Sequence, residues 1–409
     1  MQAVSKRVVI IGGGAAGFFA AINIAEKNPG YSVTILEKSS TVLSKVKISG
    51  GGRCNVTHAC FEPRELVKFY PRGEKQLLGP FTKFNPSNTI DWFRKRGVEI
   101  KREADGRMFP VTDSSQTIID CFWNEARRLG VQVKMQCGVE KLQYTDSKFQ
   151  LKTSTGNMEA DVVVVTAGSS HSVWKILEEL GHIIVPPVAS LFTFNIKDER
   201  INGLEGLSVE NALVSVVSNS QSKIRNPQLS SSGPLLITHW GMSGPAILRL
   251  SAWGARQLAE TKYQFDLEVN WVNKDLNEVR DHIKSFKQNS PKKSVATTPL
   301  FNIPKRLWER LVIAQGVNQN FADLSNVKID NLTKEITQGR YMVNGKSTFK
   351  DEFVTAGGVD LADIDFRTLQ SKKVPNLYFA GEVLDIDAIT GGFNFQAAWT
   401  TAFIVSQTI

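Results

Sequence analysis

Two four-residue segments of the chain consist entirely of valine and isoleucine. Val8–Ile11 lies near the amino terminus, and Val162–Val165 lies in the middle of the sequence. Runs without polar alternation are typical of parallel strands that are covered on both faces. Residues 32–37, 353–359 and 376–380 are β-rich as well, so both ends of the chain predict parts of one α/β unit.

The pattern changes between about residues 190 and 345. Four β-rich or alternating segments follow one another there, separated by turn residues, at 191–196, 207–217, 234–239 and 264–272. Such spacing favours an antiparallel arrangement, and Asn344-Gly345 after a β-rich segment predicts a hairpin. Polar helical segments lie around 275–287 and 303–315. We therefore predict a discontinuous first domain, 1–189 with 346–409, and an inserted domain, 190–345.

Glycines follow the first predicted strand at a characteristic spacing. The turn contains Gly12, Gly14 and Gly17, a helix begins near Ala15, and the second strand ends in Glu37. The first glycine permits a tight turn, the second lets a pyrophosphate approach the backbone, and the third lets the helix pack on the strand. A carboxylate at position 37 can accept both ribose hydroxyls. The turn therefore predicts dinucleotide binding without deciding which dinucleotide.

Composition narrows the class of protein. The 409 residues are 42% hydrophobic and include four cysteines, too few for a disulfide framework. Six residues precede the first strand, and glycines and Asn23 interrupt the apolar stretch 8–25, so we expect a cytoplasmic protein without a signal peptide or membrane span. The net charge of +9 is spread over short groups. This favours a solvated basic surface over a nucleic-acid partner.

Several motifs resemble the HI0933-like (YhiN/BaiN-like) family of FAD-dependent flavoproteins. They are the glycine turn with Glu37, the segment KISGGGRCN at 47–55, DGRMFP at 105–110, THWGMSGP at 238–245, and TAGGV, GEVLD and GGFNFQ between 355 and 396. The resemblance spans essentially the whole chain. It implies a Rossmann-like, glutathione-reductase-type FAD domain of three layers around a parallel sheet. It also implies that the insertion is barrel-like, has a small helical part and lies over the flavin.

The resemblance and the chemistry of these residues define a candidate FAD site. The adenosine and pyrophosphate side is expected to use small or polar residues at strand ends and helix starts: Gly12, Gly14, Ala15, Ala16, Gly17, Glu37, Lys38, Val139, Ala167 and Gly168. The SGGGRCN loop is expected to contribute backbone and polar groups: Lys47, Gly52, Arg53, Cys54 and Asn55. Lys47 is expected near phosphate, Arg53 can stack or pair with phosphate, and Asn55 can offer both amide and carbonyl to the cofactor. The last part of the chain is expected to hold the ribityl region and the pyrimidine edge of the flavin: Gly381, Glu382, Gly392, Phe393, Asn394, Phe395 and Gln396.

The predicted activity is an oxidoreductase reaction. Hydride would pass between flavin N5 and a small molecule, either by reduction of a conjugated carbon–carbon double bond or by oxidation of a small amine, as the resemblance implies. A second nucleotide fingerprint is missing from the sequence, so NAD(P)H is expected only as a transient reductant. His239, in the THWGMSGP loop, is the candidate acid or base. We expect no metal site, and the sequence does not predict an oligomeric state.

Two alternatives stay open at this point. The first is a flavin-binding protein that associates with RNA or has a regulatory role without turnover. The second is a flavin disulfide reductase using Cys54 and Cys60. Five residues separate these cysteines, whereas such enzymes have four between their redox pair.

Overall fold

A computed structural model describes residues 5–217, 229–347 and 354–409. The chain divides into two compact units, Met1–Val188 with Lys350–Ile409 and Ala189–Phe349. These boundaries differ by only a few residues from the predicted domain limits. The second unit therefore interrupts the first unit in the sequence, as expected for an inserted domain.

The strands are, in chain order: β1 Arg7–Ile11, β2 Ser32–Leu36, β3 Thr57–His58, β4 Ile100–Arg102, β5 Arg107–Pro110, β6 Gln132–Lys134, β7 Val139–Thr145, β8 Lys148–Thr153, β9 Gly156–Ala160, β10 Val162–Val165, β11 Ile184–Ser190, β12 Thr193–Asn195, β13 Ser208–Val216, β14 Ser230–Thr238, β15 Gly241–Ser243, β16 Gln264–Asn270, β17 Gly339–Asn344, β18 Lys346–Ser347, β19 Val354–Val359, β20 Ile364–Asp365, β21 Gln370–Ser371 and β22 Leu377–Phe379.

The α-helices are: α1 Ala15–Lys27, α2 Ser44–Gly52, α3 Pro63–Leu66, α4 Glu74–Lys83, α5 Pro86–Arg94, α6 Ser115–Arg128, α7 His171–Glu179, α8 Pro245–Trp253, α9 Ala255–Glu260, α10 Leu276–Asn289, α11 Lys305–Ala314, α12 Asn326–Gln338 and α13 Phe393–Thr408. None of the helices in the described residues combines the length and apolar character needed to cross a bilayer.

The first unit is built on a seven-stranded sheet in the order β20-β21-β22-β10-β1-β2-β6. The two fully hydrophobic segments are neighbours at its centre, where Val8–Ile11 pairs in parallel with Val162–Val165. All eight side chains are buried. The strands from β6 to β22 run parallel, while β21 and β20 add an antiparallel edge. The predicted α/β fold with a parallel central sheet is confirmed.

Helices and an antiparallel sheet cover this central sheet. Helix α1 packs against α13 and α6, and the antiparallel sheet β7-β8-β9 contacts β1 and β10. Helix α13 is buried along most of its length, which explains why its sequence is apolar on all sides. The Trp399 indole N–H donates to Val56 O at 2.9 Å, so this helix also holds the segment that follows SGGGRCN.

The second unit contains a seven-stranded antiparallel sheet in the order β17-β16-β13-β14-β15-β12-β18. Its two outermost strands, β17 and β18, are consecutive in the chain and separated only by Gly345. Gly345 N donates to Tyr263 O at 2.8 Å, and Gly345 O accepts from Asn195 N at 3.0 Å. The two ends of the sheet therefore meet, and the sheet closes into the barrel-like form that the resemblance implies.

Two details of the secondary structure were wrong. Asn344-Gly345 does not form a hairpin, because β17 pairs with β16 whereas β18 pairs with β12. The chain turns there from one edge of the barrel sheet to the other. Helices α8, α9 and α12 were not predicted, although α12 buries Ile329, Leu332 and Ile336 at helical spacing.

Candidate FAD-binding site

Two glycines of the amino-terminal turn are required by packing within the protein. A Cβ on Gly12 would lie 2.6 Å from Thr166 O, and its φ of +113° is unfavourable for other residues. A Cβ on Gly17 would lie 2.0 Å from Gly12 O. Thr166 Oγ1 donates to Gly12 O at 2.9 Å and fixes the turn against the end of β10. Helix α1 can approach β1 only because these positions have no side chain.

Gly14 differs from these two glycines. Its φ is −88°, and a Cβ at this position would meet no atom of the described residues within 4 Å. Neither backbone conformation nor internal packing therefore requires glycine here. Gly14 is the N-cap of α1, whose first turn, starting at Ala15 and Ala16, has no acidic residue and no side-chain cap. Bare backbone and the positive end of a helix dipole together fit a pyrophosphate.

Glu37 lies beside this turn at the end of β2. Its Oε2 accepts from Gly13 N at 2.8 Å, and its Oε1 accepts from Ser39 N at 2.9 Å. Cys137 N donates to Glu37 O at 2.8 Å. A Cβ on Gly138 would lie 3.2 Å from Lys38 Cβ. The structure thus brings the predicted ribose carboxylate and exposed Lys38 close to Val139, which opens β7.

The carboxyl ends of β10 and β22 also meet at this turn. Ala380 N donates to Val165 O, so Ala167-Gly168 and Gly381-Glu382 leave neighbouring strands. A Cβ on Gly168 would lie 3.7 Å from Glu382 Oε2, and a Cβ on Gly381 would lie 2.9 Å from Ala16 Cβ. Ligands of open α/β sheets bind at the carboxyl ends of the strands, which is where these residues are gathered.

The structure shows one contact of Glu382 that the sequence did not predict. Lys45 Nζ lies 2.6 Å from Glu382 Oε2. The predicted phosphate neighbour was Lys47, whose side chain is exposed and whose backbone O accepts from Ser115 Oγ at 2.8 Å. Helical spacing in α2 places Lys45 and Lys47 on different sides of the helix. Predicting this helix from the sequence would have shown that the two lysines have different neighbours.

The SGGGRCN segment contains the predicted glycine-rich loop, although the helix that precedes it is assigned as far as Gly52. Helix α2 extends to Gly52, but Ser49, Gly50 and Gly51 have non-helical backbone angles. Gly52 has φ of +82°, and a Cβ on it would meet no described atom within 4 Å. Three successive glycines therefore form an exposed, left-handed stretch of backbone. Such a concave backbone can approach a ligand closely.

Cys54 follows these glycines and is completely buried. Desolvation raises the pKa of its thiol to about 12, and the hydrogen bond with Ser49 only partly opposes this. Cys60 is half-buried, and burial raises its pKa too, reinforced by Glu65 and Glu62. Both thiols therefore stay protonated near neutral pH, which disfavours the disulfide-reductase alternative.

Arg53 lies between two carboxylates and an aromatic ring. Its guanidinium lies 2.6 Å from Glu103 Oε1 and 3.5 Å from Asp113 Oδ1, and it stacks on Phe109 with 4.0 Å between guanidinium carbon and ring centroid. These carboxylates already balance its charge. Arg53 therefore positions the loop, and its pairing with phosphate stays a prediction.

Asn55 and Gln396 likewise direct their side chains into the protein. The Asn55 amide donates to Thr57 O and accepts from Gly392 N, each at 3.0 Å. The Gln396 side chain is fully buried and accepts from Thr57 Oγ1 at 2.6 Å. These bonds fasten the SGGGRCN segment to the start of α13. The predicted contact of the Asn55 amide and carbonyl with the cofactor stays a prediction.

The remaining residues of GGFNFQ shape the start of α13. Gly392 has φ of +90°, and a Cβ there would lie 2.5 Å from Thr57 O. Phe393 is buried and stacks on Phe69 at a centroid distance of 4.4 Å. Asn394 accepts from Ala388 N at 2.9 Å and donates to Ala388 O at 3.1 Å, while Phe395 stacks on Trp399. The first turn of α13 has no acidic residue, so its positive dipole end is not neutralised from within the helix.

His239 lies in the second unit, between β14 and β15. Its side chain is 83% exposed, and its Nδ1 lies 3.9 Å from Glu205 Oε1. Its role as an acid or base therefore stays a prediction. Among the described residues, no group of three or more His, Cys, Asp or Glu side chains is arranged to hold a metal ion.

The fold is that of FAD-dependent flavoenzymes. A solved structure of a 3-ketosteroid-delta4-(5alpha)-dehydrogenase from Rhodococcus jostii RHA1 matches 99% of this chain and 98% of that chain, with a TM-score of 0.50 and 11% identity. The HI0933-like protein Rossmann domain matches residues 6–408, and the chain belongs to this family. It is an FAD-dependent oxidoreductase, as the sequence predicts.

Three characterised relatives match the chain over nearly its whole length. A ribosomal RNA dihydrouridine synthase from Haemophilus influenzae is 30% identical, covering 98% of both chains. The corresponding enzyme from Escherichia coli is 29% identical, covering 98% of this chain and 96% of that one. A 3-dehydro-bile acid delta(4,6)-reductase from Clostridium scindens is 26% identical over 98% of both.

Proposed function

We propose that this protein uses FAD to reduce a carbon–carbon double bond conjugated with a carbonyl group, and that its substrate is a uridine of ribosomal RNA. The observation that carries the proposal is the 30% and 29% identity to two ribosomal RNA dihydrouridine synthases over 98% of this chain. Dihydrouridine differs from uridine by saturation of the C5–C6 bond, which is conjugated with the C4 carbonyl. The bile-acid relative, by its name, also reduces double bonds conjugated with a carbonyl group.

The cofactor is proposed to lie along the carboxyl edge of the parallel sheet. Gly14 and the N-terminus of α1 would hold the pyrophosphate, Glu37 the adenosine ribose, and Gly381-Glu382 the ribityl region. The flavin ring would face the N-terminus of α13, whose dipole favours negative charge on the pyrimidine edge. This arrangement is supported by the contacts that gather these segments in the first unit.

The reaction requires a hydride, a proton and an oriented double bond. Reduced FAD supplies the hydride when it is bound. In uridine, the hydride would go to C6 and a proton to C5, so that two electrons and two hydrogens saturate the bond. His239, exposed in the turn between β14 and β15, is the proposed proton donor. The reduced cofactor must be regenerated by an external two-electron donor, for which transient NAD(P)H is proposed.

The charge of the chain supports RNA over a steroid. The insertion, residues 189–349, contains 20 of the 49 lysines and arginines but only 14 of the 40 acidic residues. It therefore carries two thirds of the net charge of +9 in about two fifths of the chain. Phosphates bind such a surface favourably, whereas a neutral steroid nucleus gains nothing from it. An RNA substrate would replace our expectation that the basic residues are only solvated.

A small enone is the second candidate substrate, favoured by the bile-acid relative. Anaerobic incubation separates the two: holoenzyme with chemically reduced flavin is mixed either with ribosomal RNA lacking dihydrouridine or with a 3-oxo-4,6-diene steroid. We expect one uridine of the RNA to gain the mass of two hydrogen atoms, detected by mass spectrometry of nuclease fragments. Saturation of the steroid with unchanged RNA would reject the ribosomal substrate and keep the double-bond reduction.

A further inference from the structure

We propose that the inserted unit binds single-stranded RNA on one surface, formed by His239 and Trp240 together with the basic segment 282–308. We call this the hairpin surface, after the turn between β14 and β15. The inference rests on the proposed function, because it assumes an RNA substrate. It adds the part of the chain that holds the RNA and the chemistry by which it does so.

The β14–β15 turn presents two large rings on a rigid backbone. Trp240 is 56% exposed, and the His239 side chain is more exposed still. Thr238 Oγ1 accepts from Trp240 N and donates to Gly241 O, each at 3.3 Å, while Ile196 N donates to Trp240 O at 2.9 Å. A Cβ on Gly241 would lie 2.3 Å from Phe194 O. The backbone is therefore fixed by close contacts, although its side chains point away from the barrel.

Such a turn suits a nucleic-acid base. An exposed indole can stack on any base, and this stacking does not depend on sequence. Single-stranded or unpaired RNA offers base faces that a duplex hides. A uridine must leave the base stack before its uracil ring can be reduced. An exposed indole such as that of Trp240 can hold the unstacked base.

The basic segment supplies the phosphate contacts. Between Asp281 and Glu309 there are six lysines and arginines and no acidic residue. The six are Lys284, Lys287, Lys292, Lys293, Lys305 and Arg306. Lys287 Nζ donates to the backbone O of Leu324 at 2.7 Å, but none of the six forms an ion pair with a described residue. Their charges are thus uncompensated by direct partners.

One loop connects the two features. Arg306 donates to Gly203 O, and Glu205, two residues further along, has its Oε1 3.9 Å from His239 Nδ1. Two residues span at most about 7 Å of backbone, so one short loop contacts both the start of α11 and the β14–β15 turn. The acids that flank this surface include Glu205, Asp281, Glu309 and Asp323, four against six cations. Asp323 follows Ala322, whose N–H donates to Pro291 O. Cations therefore remain in excess on this surface.

The first test compares Trp240→Ala with Trp253→Ala, which removes another exposed indole, at the end of α8. The probe is a fluorescent single-stranded oligouridylate titrated with the FAD-loaded protein. We expect Trp240→Ala to weaken binding about 5- to 150-fold, the range for removal of one aromatic ring on which a base stacks. Trp253→Ala should bind like wild type, and both variants should retain full FAD content.

The second test removes charge. Lys292→Ala with Lys293→Ala should reduce the slope of log affinity against log salt by about 0.7 for each phosphate that these lysines no longer neutralise. Lys75→Ala with Lys83→Ala, which removes two exposed lysines of α4, is the matched control and should leave the slope unchanged.

The outcomes separate this inference from the proposed function. Wild-type protein that reduces uridine while the Trp240 and lysine variants bind RNA normally would overturn the hairpin surface alone. Loss of RNA binding in these variants, with no uridine reduced by wild type, would support the surface and reject the proposed reaction. Equally tight binding of duplex RNA would contradict stacking on Trp240, and absence of salt-dependent RNA binding would overturn both proposals.

Discussion

The glycine turn after β1 and the hairpin turn after β14 are rigid for the same reason but differ in what they present. Each contains a glycine whose missing Cβ permits close contact with a neighbouring backbone oxygen, Gly17 with Gly12 O and Gly241 with Phe194 O. The first turn presents bare backbone and a helix N-terminus. The second presents an exposed indole and an imidazole. The proposed cofactor site is thus marked by absent side chains, whereas the proposed RNA surface is marked by large exposed ones.

The largest effect is expected from Gly17→Ala. The new Cβ would lie 2.0 Å from Gly12 O, so α1 and β1 must separate. We expect the free energy of unfolding to fall by about 3 kcal/mol or more, because backbone has to move. Urea titration followed by circular dichroism measures this, with Gly30→Ala as control, since a Cβ on Gly30 meets no described atom within 4 Å. Equal stability of the two variants would contradict the close helix–strand contact.

Gly14→Ala should lower FAD affinity more than it lowers the free energy of unfolding. A Cβ on Gly14 is sterically free in the protein, so the free energy of unfolding without FAD should fall by only about 1 kcal/mol, the cost of alanine at a helix N-cap. It would project into the space proposed for the pyrophosphate, and we expect FAD affinity to fall about tenfold or more, equivalent to about 1.4 kcal/mol. Fluorescence titration of FAD into apoprotein provides the measurement. Wild-type affinity would show that the cofactor does not approach this turn.

Glu37→Gln should weaken FAD binding about 10- to 150-fold, the equivalent of losing one hydrogen bond to a charged group. The carboxylate now accepts from Gly13 N and Ser39 N and would exchange part of this bonding for the ribose hydroxyls. Isothermal titration of FAD measures the change. Glu159→Gln removes a carboxylate that pairs with Arg7 and should have no effect, so equal losses in both variants would point to net charge rather than ribose recognition.

Cys60→Ser should have the smallest effect. Because the pKa values of Cys54 and Cys60 are raised, their thiols gain reactivity only as the pH rises toward those values. At pH 8, a pKa of about 12 leaves about one thiol in ten thousand ionised. Flavin reoxidation should match wild type, and iodoacetamide should label native Cys60 slowly and Cys54 not at all. Loss of turnover in Cys60→Ser would restore the disulfide-reductase hypothesis.

The sequence predicted the features that depend on local chemistry. Unbroken hydrophobic segments marked the central strands, and glycine spacing marked the dinucleotide turn, because only a few backbone arrangements satisfy each pattern. Arg53 and Asn55 were harder to interpret. Their polar groups are chemically suited to a ligand. In the structure, however, Arg53 pairs with Glu103 and Asp113, and Asn55 accepts a hydrogen bond from Gly392 N, all from distant parts of the chain.

The closure of the barrel shows the same limit. Asn344-Gly345 has the composition of a hairpin turn, yet the strands on its two sides pair with β16 and β12 instead of with each other. Turn composition indicates where the chain changes direction, but the pairing is decided by strands far away in the sequence. The contact between Lys45 and Glu382 was missed for the same reason.

We propose that hydride passes from FAD to a uridine of ribosomal RNA. The most direct measurement is a single-turnover reaction under anaerobic conditions, in which photoreduced holoenzyme is mixed with ribosomal RNA that lacks dihydrouridine. We predict that the visible absorbance of oxidised flavin returns and that one equivalent of dihydrouridine forms for each flavin reoxidised. Flavin that stays reduced with RNA, but is reoxidised by a 3-oxo-4,6-diene steroid, would contradict the claim.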